Sequence, residues 1–139
     1  MLGVGLLALA VSAEKADMPR AGLLKKATHV VVGKVTAVYT RKSTEGRWRY
    51  TRYVAEVKID EVEKGDGLKA GGLAYVRYWR RAWLGNKPQF TTSGHRGLPT
   101  EGETLRIYLA RNAHDGFREN KDGGFNVIGA NGFERLKKE

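Results

Sequence analysis

Two stretches of the chain interleave arginine with aromatic rings: Arg47-Trp48-Arg49-Tyr50-Thr51-Arg52-Tyr53 and Tyr75-Val76-Arg77-Tyr78-Trp79-Arg80-Arg81-Ala82-Trp83. A guanidinium presents a planar fork of donors to carboxylate, sulfate or phosphate, and an aromatic face offers a stacking platform, so the pairing supplies the chemistry of a binding surface. A second candidate lies in Thr91-Thr92-Ser93-Gly94-His95-Arg96-Gly97-Leu98-Pro99. There His95 stands near two glycines with Arg96 beside it, placed either to reach an anion or to bond backbone. Ser93 suggests a nucleophile, but the segment has neither a G-x-S-x-G elbow nor a spacing that would orient a base with a carboxylate.

Other reactive groups give less. His29, His95 and His114 show no close ligand spacing, and the chain has no cysteine, which removes thiolate ligands, thiolate nucleophiles and disulfides. Asn112 to Gly124 carries oxygen donors without the alternating spacing and closing Glu of a calcium loop. Asp60, Glu61 and Glu63 sit at a strand end among lysines, and Glu101 and Glu103 flank a turn glycine, so neither set reads as an acid/base pair. No glycine-rich phosphate loop opens a helix. These residues point to a non-enzymatic binding protein with no cofactor and no metal.

The chain is 139 residues long with a formal net charge of +10, enough for one domain with one core and basic enough to attract anionic partners at long range. Leu2 to Ala13 is an uncharged apolar run ending in Val11-Ser12-Ala13, small residues that suit signal peptidase, with cleavage expected before Glu14. No Lys or Arg precedes the run, although such signals ordinarily carry a basic flank. The run is shorter than the roughly 20 apolar residues of a membrane span, so a secreted or periplasmic protein without a transmembrane segment is expected. The expected organisation is a signal at 1–13, a domain at 14–134 and a charged tail at 135–139.

A short helix is expected from a capping Asp17 to Ala27, with Pro19 in its first turn and Leu23, Leu24 and Ala27 inward. Everything after it alternates like strand. The first strand runs from Thr28 to Thr40 with Val31, Val35, Ala37 and Tyr39 on one face and Gly33 at a bend; the second covers 47–63. The third is expected from Leu73 to Trp79, the fourth from Glu103 to Ala110 with Arg106 and Tyr108 outward, and the fifth from about Gly124 to Ala130. A polar connection from Arg80 to Gly102 separates the third from the fourth, and connections that long usually carry function. Phe133 is expected to tuck against the sheet. The pattern predicts an all-β fold with one short helix, built as a five-stranded OB-like Greek-key barrel, with a split sandwich as competitor.

The order His29-Val30-Val31-Val32-Gly33-Lys34-Val35, Val57-Lys58-Ile59-Asp60-Glu61-Val62-Glu63-Lys64-Gly65 and Gly102-Glu103-Thr104-Leu105-Arg106-Ile107-Tyr108-Leu109 resembles the netrin-like OB-fold domains, which include the tissue inhibitors of metalloproteinases and secreted bacterial relatives. The resemblance covers about Ala27 to Phe133. It implies a fold and an exported setting in which such domains bind rather than catalyse. The inhibitors insert an N-terminal cysteine at the protease zinc, and this chain has none, so no inhibitory residue carries over.

Strand alternation then divides the arginine and aromatic stretches. Tyr53, Val76 and Tyr78 fall inward, while Trp48, Tyr50, Arg52, Tyr75, Arg77 and Trp79 fall on the outer face of the second and third strands, where OB-folds bind ligands. With Arg80, Arg81, His95 and Arg96 these form the candidate binding set. The expected partner is a protein or anionic polymer, engaged through this basic aromatic face, with single-stranded nucleic acid as the alternative. The same residues also have a structural use, because cross-strand aromatic and arginine pairs stabilise sheets and arginine stems cover rings.

Overall fold

The computed structural model describes residues 16–86, 92–111 and 124–136. The signal segment, His114, most of the Asn112 to Gly124 connection and residues 137–139 lie outside them. Helix α1 (Arg20–Lys26) starts at an extended Pro19 and ends with basic Lys25 and Lys26 in its last turn, where they suit the helix dipole. Asp17 does not cap it; its carboxylate pairs with Arg96 instead. Leu23 and Ala27 are buried as expected, but Leu24 is exposed, because a helix of two turns can aim only a narrow stripe at the sheet.

Seven strands follow among the described residues: β1 (His29–Glu45), β2 (Trp48–Lys64), β3 (Leu73–Trp83), β4 (Thr92–Gly94), β5 (Thr104–Arg111), β6 (Phe125–Val127) and β7 (Phe133–Arg135). The architecture is all-β apart from the helix, and the count of five expected from sequence is corrected to seven. The two additions, β4 and β7, have three residues each, too few for an alternation to register. β7 also takes in Arg135, assigned from sequence to the tail; its guanidinium holds Glu103 at 2.8 Å and 3.0 Å.

Antiparallel ladders join β1 to β2, β2 to β3, β6 to β5 and β5 back to β1, and a parallel ladder joins β3 to β6. The ring these pairings trace is uneven. β1 and β2 pair along almost their whole length, whereas β3 and β6 meet only at Val76–Phe125 and Arg77–Asn126. β1 serves two neighbours, pairing with β2 throughout and with β5 only from His29 to Lys34. Gly33 stands where β1 crosses close over β2: a Cβ there would lie 2.6 Å from the Lys58 carbonyl oxygen. Val31, Val35, Ala55, Val57, Ile59, Val76, Tyr78, Leu105, Ile107 and Leu109 fill the core, closed below by Val127 and Phe133.

Two sequence expectations fail for identifiable reasons. The β1–β2 register slips between Val35 and Ala37, so Thr36 is an extra residue and alternation reverses after it. Val38 therefore packs on the core and Tyr39 stands outside, 58% exposed. Tyr108, expected outward, is fully buried, because α1 lies over that face and encloses it with Leu23, Ala27 and Val30.

The Tyr108 hydroxyl donates to Glu134 Oε1 at 2.7 Å, and Arg106 links the same carboxylate to β2 through Nη1 to Glu134 Oε2 at 2.6 Å. Its other two donors reach Glu63 Oε1 and Oε2 at 2.6 Å and 3.0 Å, a bidentate fork. Arg106 hydrogen bonds hold Glu63 below its ordinary 4.5; burial opposes this at Glu134, but donors from Tyr108 and Arg106 outweigh it and lower that group too. Carboxylates depressed in the folded state contribute stability that is full above 4.5 and lost as pH falls through their folded values. Denaturant melts at pH 7 and pH 3 should therefore show acid weakening of which this network contributes about 1 kcal/mol, the scale of good partly exposed pairs. Arg106→Met should be less stable at pH 7 and lose that share of the acid dependence; an unchanged pH profile would remove the network from the account.

Candidate functional site

The outer face of β1, β2 and β3 is set by register. Opposed residues run in rows across the three strands: Glu45, Trp48 and Trp83; Ser43, Tyr50 and Arg81; Arg41, Arg52 and Trp79; Tyr39, Val54 and Arg77; Ala37, Glu56 and Tyr75. Trp48, Tyr50, Arg52, Tyr75, Arg77, Trp79 and Arg81 are thus brought to one surface. β3 continues to Trp83 rather than stopping at Trp79, because β2 and the short β4 pair with its far end.

Within that surface the rings and cations interlock. The Arg81 guanidinium lies 3.9 Å over the Trp48 ring and 6.0 Å from that of Tyr50, and Arg52 covers Tyr50 at 4.6 Å. Side-chain bonds fix the guanidinium planes: Arg81 Nε donates to Ser93 Oγ at 2.7 Å, and Arg52 Nη1 to Ser43 Oγ and Glu45 Oε2, both at 3.0 Å. Trp83 meets Trp48 edge-on at 4.9 Å. Each cation–π contact at an exposed site contributes about 0.5–1 kcal/mol, and together they stiffen an arm that extends past the core.

At the other end of the patch Tyr75 donates to Glu56 Oε2 at 2.9 Å, and Thr36 donates to Oε1 at 2.8 Å. The hydroxyl bonds, from Thr36 first and Tyr75 second, lower the Glu56 carboxyl, and the Tyr75 phenol is raised in turn by Glu56. Between the two ends Tyr39, Thr40, Arg41, Arg52, Val54 and Arg77 line an open groove of about 410 Å³. Its floor is apolar at Val54, and three guanidinium groups border it. Tyr39 and Arg41 were not in the candidate set read from sequence, because the bulge at Thr36 that turns them outward leaves no mark on residue type.

Four members of the set stand apart from the exposed face. Trp79 lies on it but is only 7% exposed, covered by Tyr50 at 6.0 Å between ring centroids and by His95 at 6.1 Å. Arg80 points to the opposite face, where it borders a small hollow of about 150 Å³ with Arg49, Thr51 and Tyr53. Arg96 is paired with Asp17, and its backbone N–H donates to Ala130 O at 2.8 Å.

His95 is buried, 1% exposed. The Trp79 N–H donates to its Nδ1 at 3.1 Å, which leaves the proton on Nε2, and Nε2 donates to Val127 O at 2.7 Å. The imidazole therefore bridges β3 and β6 where their ladder is shortest. Gly94 makes this approach possible: it adopts φ +113°, and a Cβ there would lie 2.5 Å from Trp79 O. His29 has a similar role, with Nε2 2.6 Å from Asp66 O and Nδ1 2.9 Å from Thr28 Oγ1. Among the described residues no group of three or more His, Asp or Glu side chains is arranged to hold a metal.

Comparison of the chain with protein-family models, with curated proteins and with solved structures finds no match. The site thus rests on its geometry. His95→Ala would orphan a buried N–H and a buried carbonyl and should cost about 2–4 kcal/mol in urea unfolding. Trp79→Ala should cost about 3–5 kcal/mol, as an emptied aromatic site does. A His95→Ala protein of unchanged stability would show that the bridge contributes nothing.

Proposed function

We propose that this chain is an exported, non-enzymatic binding domain that engages an acidic partner, a protein or a polymer of the cell envelope, through the outer face of β1, β2 and β3. The observation that carries this reading is the open groove of about 410 Å³ whose border is formed by Arg41, Arg52 and Arg77. An apolar floor with cationic walls suits carboxylate or sulfate groups on a scaffold that also offers apolar contact. The barrel behind it is read as OB-like. The ring of ladders with one parallel pairing between β3 and β6 supports that reading. β4 and β7 are then additions to a five-stranded plan, and the netrin-like resemblance fits the same plan.

Export rests on the Leu2 to Ala13 run and its Val11-Ser12-Ala13 end. Mass spectrometry of protein recovered from its native host should find a mature N-terminus at Glu14; an intact Met1 would withdraw the compartment.

A nucleic-acid partner is less well served by this face. Base stacking needs open rings, and with Arg81 and Arg52 covering Trp48 and Tyr50 only Tyr39 and Tyr75 are exposed among the described rings of this face. Titration with heparin across a salt series should give binding whose affinity falls steeply with salt, with single-stranded DNA weaker at every step. Arg41→Glu should weaken heparin binding about tenfold for a lost charge-assisted contact while leaving the melting curve in place. No heparin binding at low salt would remove the proposed face; tighter binding of DNA with quenched tryptophan emission would favour the stacking alternative.

A further inference from the structure

The distal half of β1 has a neighbour on one side only. From His29 to Lys34 the strand pairs with both β2 and β5, whereas from Ala37 to Glu45 it pairs with β2 alone. The hydrogen bonds at the junction show which backbone groups face the open side. Val35 N–H donates to Glu103 O at 2.9 Å, and Val35 O accepts from Gly102 N–H at 2.7 Å, so Val35 points away from β2. After the extra residue Thr36, Val38 N–H points the same way and donates to Glu101 Oε1 at 3.2 Å. Antiparallel strands turn alternate residues outward, so the N–H and C=O groups of Thr40, Lys42 and Thr44 continue that edge with no strand beside them among the described residues.

Exposed edges are usually blunted, and this one carries both a bulge at Thr36 and the adjacent cations Arg41 and Lys42. Those cations select what can pair. A second copy arranged about a two-fold axis near Lys42 would set cation against cation, which is destabilising across a ladder. An acidic strand meets the reverse situation on both faces. On the outer side Arg41 and Arg52 border the groove; on the other side Lys42, Thr51 and Arg80 form a row across the three strands. Arg41, Lys42 and Arg80 are exposed, and no described residue pairs with their charges.

We propose that the open edge of β1 from Thr40 to Thr44 receives an extended acidic segment of a partner protein as an added strand. Main-chain hydrogen bonds to Thr40, Lys42 and Thr44 would supply affinity, and acidic side chains alternating beside Arg41 and Lys42 would supply selectivity. The inference rests on the reading of the arm as the binding surface, and it adds a partner class and a mode of engagement.

The test uses a soluble peptide alternating Glu and Thr, with heparin as the control for the cationic face. Thr44→Pro removes one outward N–H, leaves the charge unchanged and spares the β1–β2 ladder, a position at which proline is tolerated. It should weaken peptide binding about tenfold, the equivalent of roughly one good hydrogen bond, and leave heparin binding unchanged. A peptide carrying N-methyl groups on alternate residues should bind the native protein at least as weakly, which tests the same bonds should a proline variant fail to fold. Equal binding of methylated and unmethylated peptides overturns the added strand while heparin binding keeps the cationic face. Loss of both peptide and heparin binding overturns both readings. Self-association of the native protein that Thr44→Pro abolishes would seat a second copy on the edge and also overturn the proposal.

Discussion

The backbone of β1 must satisfy two partners over its first half and one over its second, and most of the molecule follows from where that change occurs. Up to Val35 the strand is a shared wall, hydrogen-bonded on both edges and buried at Val30, Val31, Val32 and Val35. A continuously buried run of this kind belongs to a strand covered on both faces, here by the core on one side and by α1 with Tyr108 on the other. Past Val35 the β5 edge is gone, and the inserted Thr36 reverses the pleat. That reversal aims Val38 at the core and leaves Tyr39 and Arg41 beside Arg52 and Arg77. One unpaired residue thus separates the part of β1 that holds the fold together from the part that presents a surface.

Arginines on the two sides of that boundary behave differently. Arg106 and Arg135 sit over the barrel and hold Glu63 and Glu103 in bidentate geometry, with a further Arg106 N–H donated to Glu134. Arg52 and Arg81, on the arm, are held by ring faces and hydroxyls, and Arg52 also by Glu45. A guanidinium stacked on an aromatic ring keeps its charge and much of its donor edge while losing little further entropy on binding. The arm is therefore stiffened by the same side chains that carry its charge.

Residue types revealed the class of fold and the inner half of the sheet, because period-two alternation is strong where a strand has one wet face. Tyr53, Val57, Ile59, Val76, Leu105, Ile107 and Leu109 all point where that pattern places them. Legibility failed where tertiary packing or a register slip intervened. Tyr108 reads as outward on β5 until a helix from the other end of the chain covers it, and Tyr39 reads as inward until Thr36 is counted as extra. The three-residue β4 is invisible locally and yet decides His95, since pairing of Ser93 and Gly94 with Arg81 and Arg80 delivers the imidazole to the β3 and β6 backbones. Histidine beside arginine in a glycine-bearing loop left an anion site and a backbone bond both open; in the structure the ring bonds backbone on both sides.

Placing a neutral, doubly bonded imidazole at the shortest ladder of the ring has a consequence for the site. β3 and β6 exchange few backbone bonds of their own, so the Trp79 N–H and the Val127 carbonyl are tied through His95 instead. Trp79 is the hinge of this arrangement: its backbone anchors the strut while its ring carries Tyr50, and Tyr50 in turn carries Arg52 and Arg81. The buried side of the patch and its exposed side are accordingly one stack, in which order runs from the imidazole through the indole to the guanidinium groups. Loosening the strut would be felt through that stack at Arg52 and Arg81, so the order of the outer face depends on a residue buried beneath it.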